Sequence, residues 1–212
     1  MTAEFEATLS FERFARYLEW RSGDHARALE LYALNTQLSE ALYTPLQILE
    51  ITLRNRIHTV LTAARHERWF EDDRYLLLEH QSSQITEAAE QVGEHGQPTP
   101  GRIVAALTFS FWITMLGSRY EELWQKSLHD IGRREDGKGL ARKDFSRPLS
   151  PIRALRNRVA HHEPIVQWDL PKHYNNILQL IRWLSPAAAE WCERYSRFPE
   201  VYPDEPIILT AS

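Results

Sequence analysis

Apolar residues recur at three- and four-residue spacing along almost the whole chain, and no alternating run of β-branched residues is long enough to make a sheet. That periodicity restricts the fold to packed helices, so the expected class is all-α, a helical bundle. "LSFERFARYLEW" reads as a short amphipathic helix using Leu9, Phe14 and Leu18. "SGD" at 22–24 then breaks the chain and caps a helix to about Tyr43, with Leu31, Leu34, Leu38 and Leu42 near helical spacing. Ile177, Leu180, Ile181 and Leu184 form a clean stripe near the C-terminus.

Four segments open with a hydroxyl residue followed by proline: Thr44-Pro45, Thr99-Pro100, Ser150-Pro151 and Ser185-Pro186. The hydroxyl accepts from free first-turn amides, and proline at the first helical position loses no hydrogen bond. Each pair therefore predicts a helix start. In Pro45–Arg65 one arc holds Leu46, Leu49, Leu53, Ile57 and Val60, with Ile48 and Ile51 roughly opposite, so this helix is expected to be covered on two sides. Glu50 falls within the apolar arc one turn before Arg54, which predicts a partly buried pair. Pro100–Leu116 is apolar nearly all round and reads as a second central helix. Its uncharged run is shorter than the ~20 residues of a membrane span, so a buried helix is expected and no membrane partner. Residues 93–101 read as a linker, "GRREDGKG" (132–139) as a mobile basic loop, and "FPEVYPDEPIILT" as extended or irregular because of its prolines.

At 212 residues, 43% hydrophobic with seven tryptophans, the chain is expected to form one globular domain. A single cysteine, Cys192, excludes an internal disulfide and a cysteine-rich zinc site, which favours a reducing, cytoplasmic setting. "MTAEFEATLSFERF" lacks the pattern of a signal peptide. The net charge of −4 argues against a polyanionic partner, but its distribution does not. From Arg133 to Arg158 nine basic residues face three acidic ones, a local excess of +6, so the remainder carries −10. Arg133, Arg134, Lys138, Arg142, Lys143, Arg147 and Arg153 are thus candidate contacts to a nucleic acid, although a solvated loop explains the excess equally well.

The densest polar segment is "LRNRVAHHEPI", Leu155 to Ile165. Ser150 is expected to cap its helix and Pro164 to end it near His162. The apolar stripe is Ile152, Leu155 and Val159; Asn157 and His161, four apart, share a face pointing away from the core, and Arg156 and His162 flank the stripe on opposite sides. The carbonyl end of a helix favours a protonated histidine, which suits general acid–base work. The fixed fork of an arginine suits a phosphate gaining charge in a transition state. The competing reading is structural, since such a cluster also caps carbonyls and binds neighbouring acids.

The spacing Arg156-Asn157-x-x-x-His161 resembles the Arg-x4–6-His signature of the HEPN superfamily of helical ribonucleases, and "ALRNRVAHHEPI" resembles its Abi-like (abortive-infection) family. "PLQILEITLRNRIHTVL" and "GRIVAALTFSFWITML" are similar to that family's two earlier blocks, so the likeness runs from about Thr44 to Ile165. It implies an HEPN-like core at about 25–195 with an irregular tail at 196–212. It further implies a homodimer with the two motif helices facing each other, and RNA cleavage without metal or other cofactor. Attack of a ribose 2′-OH on its adjacent phosphate would give a cyclic phosphate and a 5′-OH. Arg156 would stabilise the pentavalent phosphate, His161 would move protons, and Asn157 would orient the histidine or the phosphate. His162, Glu163 and Arg158 are accessory candidates, and an Arg-x5-His spacing would admit His162 as the proton carrier. The implied setting is anti-phage defence or toxicity, with an antitoxin or a phage-derived trigger as further partner. A non-catalytic RNA-binding or protein-interaction module of the same fold is the alternative.

"TLRNRIH" echoes the motif one residue short, with Glu50, Arg54, Asn55 and His58. An ancient repeat or a second half-site would account for it, but a structural role is favoured, with Asn55 on the second covered side. A metal site at His161, His162, Glu163 and His173 is disfavoured. Val166 occupies the position where the zinc pattern needs histidine, and adjacent histidines on a helix diverge by about 100°.

Overall fold

The computed structural model describes residues 2–72, 78–93, 96 and 98–209, and every regular element among them is helical. In chain order these are α1 (Thr2–Leu9), α2 (Phe11–Trp20), α3 (His25–Ala64), α4 (Glu79–Gly93), α5 (Pro100–Ala106), α6 (Phe109–Thr114), α7 (Glu121–Lys126), α8 (Arg142–Ala160), α9 (Leu170–Leu184), α10 (Pro186–Tyr195) and α11 (Phe198–Val201). Single 3-10 turns stand at Trp69–Glu71, Ser118–Tyr120 and Leu128–Ile131. None of these helices is long and apolar enough to cross a membrane.

The spine is α3. Asp24 caps it by accepting from the Arg27 amide at 3.1 Å, as the break at 22–24 predicts. It then runs for forty residues, about 60 Å, straight through Pro45. The helix start expected at Thr44-Pro45 is therefore not used. A proline inside a helix removes one hydrogen bond and crowds the carbonyl four residues back, a cost of about 3 kcal/mol. Against it stand Leu31, Leu38, Leu42, Leu46, Leu49, Leu53, Ile57 and Leu61, all at most 5% exposed. Each contributes on the order of 2 kcal/mol by burial, so the uninterrupted stripe wins. α9 packs on α3, as do α2, α10 and α11, and α6 and α8 touch it as well.

The same overriding occurs in α8. Ser150-Pro151 is expected to open the motif helix, yet α8 begins nine residues earlier, where the Asp144 carboxylate accepts from the Ala141 amide at 2.8 Å. It passes through both Pro148 and Pro151, because Phe145, Leu149, Ile152 and Leu155 form a fully buried row. The other two starts stand: Thr99 accepts from the Arg102 amide and Ser185 from the Ala188 amide, each with proline in the first turn. Pro100–Leu116 is two helices rather than one. Thr108 accepts from the Phe111 amide at 3.3 Å and begins α6 after an extended Leu107. That cap carries no proline beside it, and the apolar run conceals the break.

The tail is irregular after α11, whose four residues fall in a stretch expected to be extended or irregular; Thr210 and the two residues after it lie outside the described residues. So do 94, 95 and 97 of the expected linker. The basic loop 132–139, expected to be mobile, is tied to the body. Arg133 donates its amide to the Trp183 carbonyl at 3.0 Å, and a β-carbon on Gly132 would stand 2.6 Å from that same oxygen. Only glycine lets α9 and the loop approach this closely.

Candidate functional site

The motif sits where α8 stops. The helix ends at Ala160, two residues earlier than Pro164 predicts, with His161 as its cap. His162 then adopts a left-handed conformation, φ 57°, that is unusual for a residue with a β-carbon. Its amide donates to the Val159 carbonyl at 3.1 Å and the Glu163 amide to the Arg158 carbonyl at 2.8 Å, the paired closure that glycine usually provides. Beyond the turn, the Ile165 amide donates to the Asn35 side chain at 2.7 Å. Asn35 is a buried polar residue in the middle of the α3 stripe, and this bond fixes where the chain leaves α8.

Arg158 belongs to the scaffold. Its Nε donates to the Pro164 carbonyl at 3.0 Å, its Nη1 pairs with Glu163 at 3.1 Å, and its guanidinium lies 5.8 Å from the Trp168 ring centre. Arg158 and Glu163, both accessory candidates, thus occupy each other. Asn157 and His161 are exposed on the outward face, and neither side chain has a hydrogen bond or ion pair among the described residues.

Arg156 points elsewhere. It stands five positions before His161, about 140° around an ideal helix. Its Nη2 lies 3.6 Å from the Glu50 carboxylate, with 40% of the side chain exposed. Glu50 was expected to pair with Arg54; it faces Arg156 across the gap between α3 and α8 instead. Arg54 donates to the Ala105 carbonyl at 3.2 Å, and its Nε is buried without an acceptor. These residues line a groove of about 390 Å³ with Tyr43, Gln47 and Ile51 on one wall and Val159 on the other. A second hollow shares Tyr43 and Val159 and contains His162, Tyr195 and Arg197. The left-handed turn therefore brings His162 round to α3, although a regular helix would set it on the opposite side of the stripe from Arg156. Neither Tyr43 nor Gln47 is marked as a site residue by the sequence, but with Glu50 and Arg54 they recur every three or four residues beside the leucine stripe.

The remaining echo residues separate by role. Asn55, expected on a covered side, is exposed. Arg56 donates to the Ile131 carbonyl at 2.8 Å and the Asp130 carbonyl at 2.9 Å. His58 accepts the Trp69 indole N–H at 3.0 Å; burial holds its pKa below the ordinary value, against an opposing pull from Glu67. No group of three or more His, Cys, Asp or Glu is arranged to hold a metal ion among the described residues.

The basic strip also divides. Arg133 pairs with Asp130 at 3.3 Å, Arg134 with Asp144 at 3.1 Å, and Lys138 with Asp136 at 3.0 Å. Arg142 is buried, bonded to Glu121 at 2.6 Å and the Leu116 carbonyl at 2.7 Å. The Glu121 carboxyl is held below its ordinary range, chiefly by Arg142, with a smaller contribution from the Lys143 charge. Arg147 and Arg153 are exposed, with no ion pair or hydrogen bond among the described residues. Lys143 and Arg147 share the outward face of α8 with Asn157 and His161, at intervals close to whole turns; Arg153 borders it.

Compared with family models, with curated proteins and with solved structures, the chain gives no match.

Proposed function

We propose that this chain is a metal-independent RNA endonuclease of the HEPN type, acting at the C-terminal end of α8 in abortive infection or as a toxin. The observation that carries the reading is the exposure of Asn157 and His161 with no side-chain hydrogen bond or ion pair among the described residues, while Arg156, about 140° round the helix, is 40% exposed and 3.6 Å from the Glu50 carboxylate. Arg158, by contrast, is engaged within the fold by the Pro164 carbonyl and Glu163.

In the reaction, the ribose 2′-oxygen bonds to the adjacent phosphorus and the bond from phosphorus to the 5′-oxygen breaks. The products are a 2′,3′-cyclic phosphate and a 5′-OH. His161 takes the 2′-OH proton or returns one to the departing oxygen, and Arg156 neutralises charge on the pentavalent phosphate. The angle between Arg156 and His161 on α8 makes a shared site formed by two copies the natural arrangement. One copy would then offer its arginine to the phosphate that meets the histidine of the other. The angle also favours a second reading, a non-catalytic RNA-binding module in which Arg156 serves the groove and not a reaction.

Single-stranded RNA and DNA of the same sequence, incubated with wild type and Arg156→Ala, separate the two. Cleavage of RNA alone by wild type, unaffected by chelator and lost in the variant, supports the nuclease. Retarded but intact RNA supports the binding module, and equal cleavage by wild type and His161→Ala rejects the assignment of the site.

A further inference from the structure

Arg54 was read as structural, yet the groove between α3 and α8 sets it beside Arg156 with Glu50 between them. The guanidinium of Arg54 is short of acceptors. An arginine offers five N–H groups; among the described residues Arg54 makes one hydrogen bond, to the Ala105 carbonyl, and its Nε is enclosed without an acceptor. A ligand in the groove would therefore meet the terminal nitrogens of Arg54, not the enclosed Nε. The charges point the same way. Two guanidiniums and one carboxylate leave the groove with one positive charge, which a singly charged phosphodiester would neutralise. The Glu50–Arg156 contact is too long for a hydrogen bond, so an incoming phosphate displaces little. Tyr43, 61% exposed, lines the same groove, and its ring is available for a base to stack on.

We propose that Arg54 is a second phosphate-binding residue, and that the groove receives one internal phosphodiester of single-stranded RNA between Arg54 and Arg156, with a neighbouring base stacked on Tyr43. The proposal rests on the RNA reading above and assigns part of the substrate path to the residues of the earlier sequence echo. Glu50 then acts as a stand-in for the phosphate while the groove is empty.

Binding of a short, uncleavable 2′-O-methyl RNA to the full chain, followed by fluorescence anisotropy across a salt series, tests this without requiring catalysis. Arg54→Ala is expected to weaken binding about tenfold and to reduce the salt slope by about 0.7, the loss of one single-strand phosphate contact. Arg54→Lys should fall between, because it retains the charge and loses the fork. Tyr43→Ala should weaken binding several-fold and Tyr43→Phe should not. Glu50→Gln is the decisive variant: it should tighten binding, whereas a carboxylate that merely props Arg156 in place would weaken it on removal. If Arg54→Ala fails to fold, judged by its circular dichroism, the lysine and Glu50→Gln variants still decide. Wild-type affinity and salt slope in Arg54→Ala, weaker binding in Glu50→Gln, or no binding by wild type overturns the proposal. Arg54-dependent binding without cleavage of ordinary RNA would remove the nuclease reading and leave this one standing. Cleavage indifferent to Arg54 would do the reverse.

Discussion

Glu50 of α3 and Arg156 of α8 face each other at 3.6 Å across the groove that joins the two sequence motifs. Side chains one helical turn apart can pair locally, and on that basis Glu50 belongs with Arg54. Packing of α8 against α3 puts a second guanidinium opposite the carboxylate. Arg54 turns to a backbone carbonyl instead. The consequence is a site whose parts come from both strings, with the scaffold around it setting several measurable quantities.

The left-handed His162 separates stability from activity. Glycine adopts that conformation without the penalty of a β-carbon, so His162→Gly is expected to stabilise the protein by about 1 kcal/mol in urea unfolding. If His161 is the proton carrier, the same variant retains RNA cleavage; loss of cleavage in a more stable protein would move that role to His162.

Asn35→Ala removes the acceptor of the buried Ile165 amide. An unmet buried donor costs about 1–3 kcal/mol, and truncation leaves a small void as well. Thermal unfolding should show a markedly lower Tm. A change within experimental error would mean that the exit from α8 is held by other contacts.

The basic strip should not behave as a unit. Arg147→Glu and Arg153→Glu are each expected to weaken RNA binding by about three- to tenfold and flatten its salt dependence, with stability unchanged. Arg142→Ala should instead destabilise the fold by about 1–3 kcal/mol, because the Leu116 carbonyl loses its charged donor. Equal effects of all three on binding alone would contradict this division.

Stability should fall on mild acidification. Burial is the main cause that places the pKa values of His58 and His173 below the ordinary 6.5, with Glu67 and Asp169 partly opposing it. Below about pH 6.5 the unfolded chain therefore binds more protons than the native one, and the contribution present above that value is lost as pH decreases. Urea midpoints at about pH 7.5 and 5.5 measure it, and His58→Gln, which retains an acceptor for Trp69, should reduce the difference.

Helical class, the Asp24, Thr99 and Ser185 caps, the C-terminal apolar stripe and the outward Asn157–His161 face are all determined by the order of residues itself. Periodicity and first-turn hydrogen bonds are local, and three or four neighbouring residues suffice to express them. Only the tertiary structure decided that α3 runs on through Pro45 and α8 through Pro148 and Pro151, because the burial of long apolar rows outweighs the local cost of a proline inside a helix. It also decided which cations of the strip are already occupied, that His162 turns toward α3, and that Arg156 meets Glu50. Those outcomes depend on which helix packs against which, and a charge finds its partner by distance in space rather than by spacing along the chain.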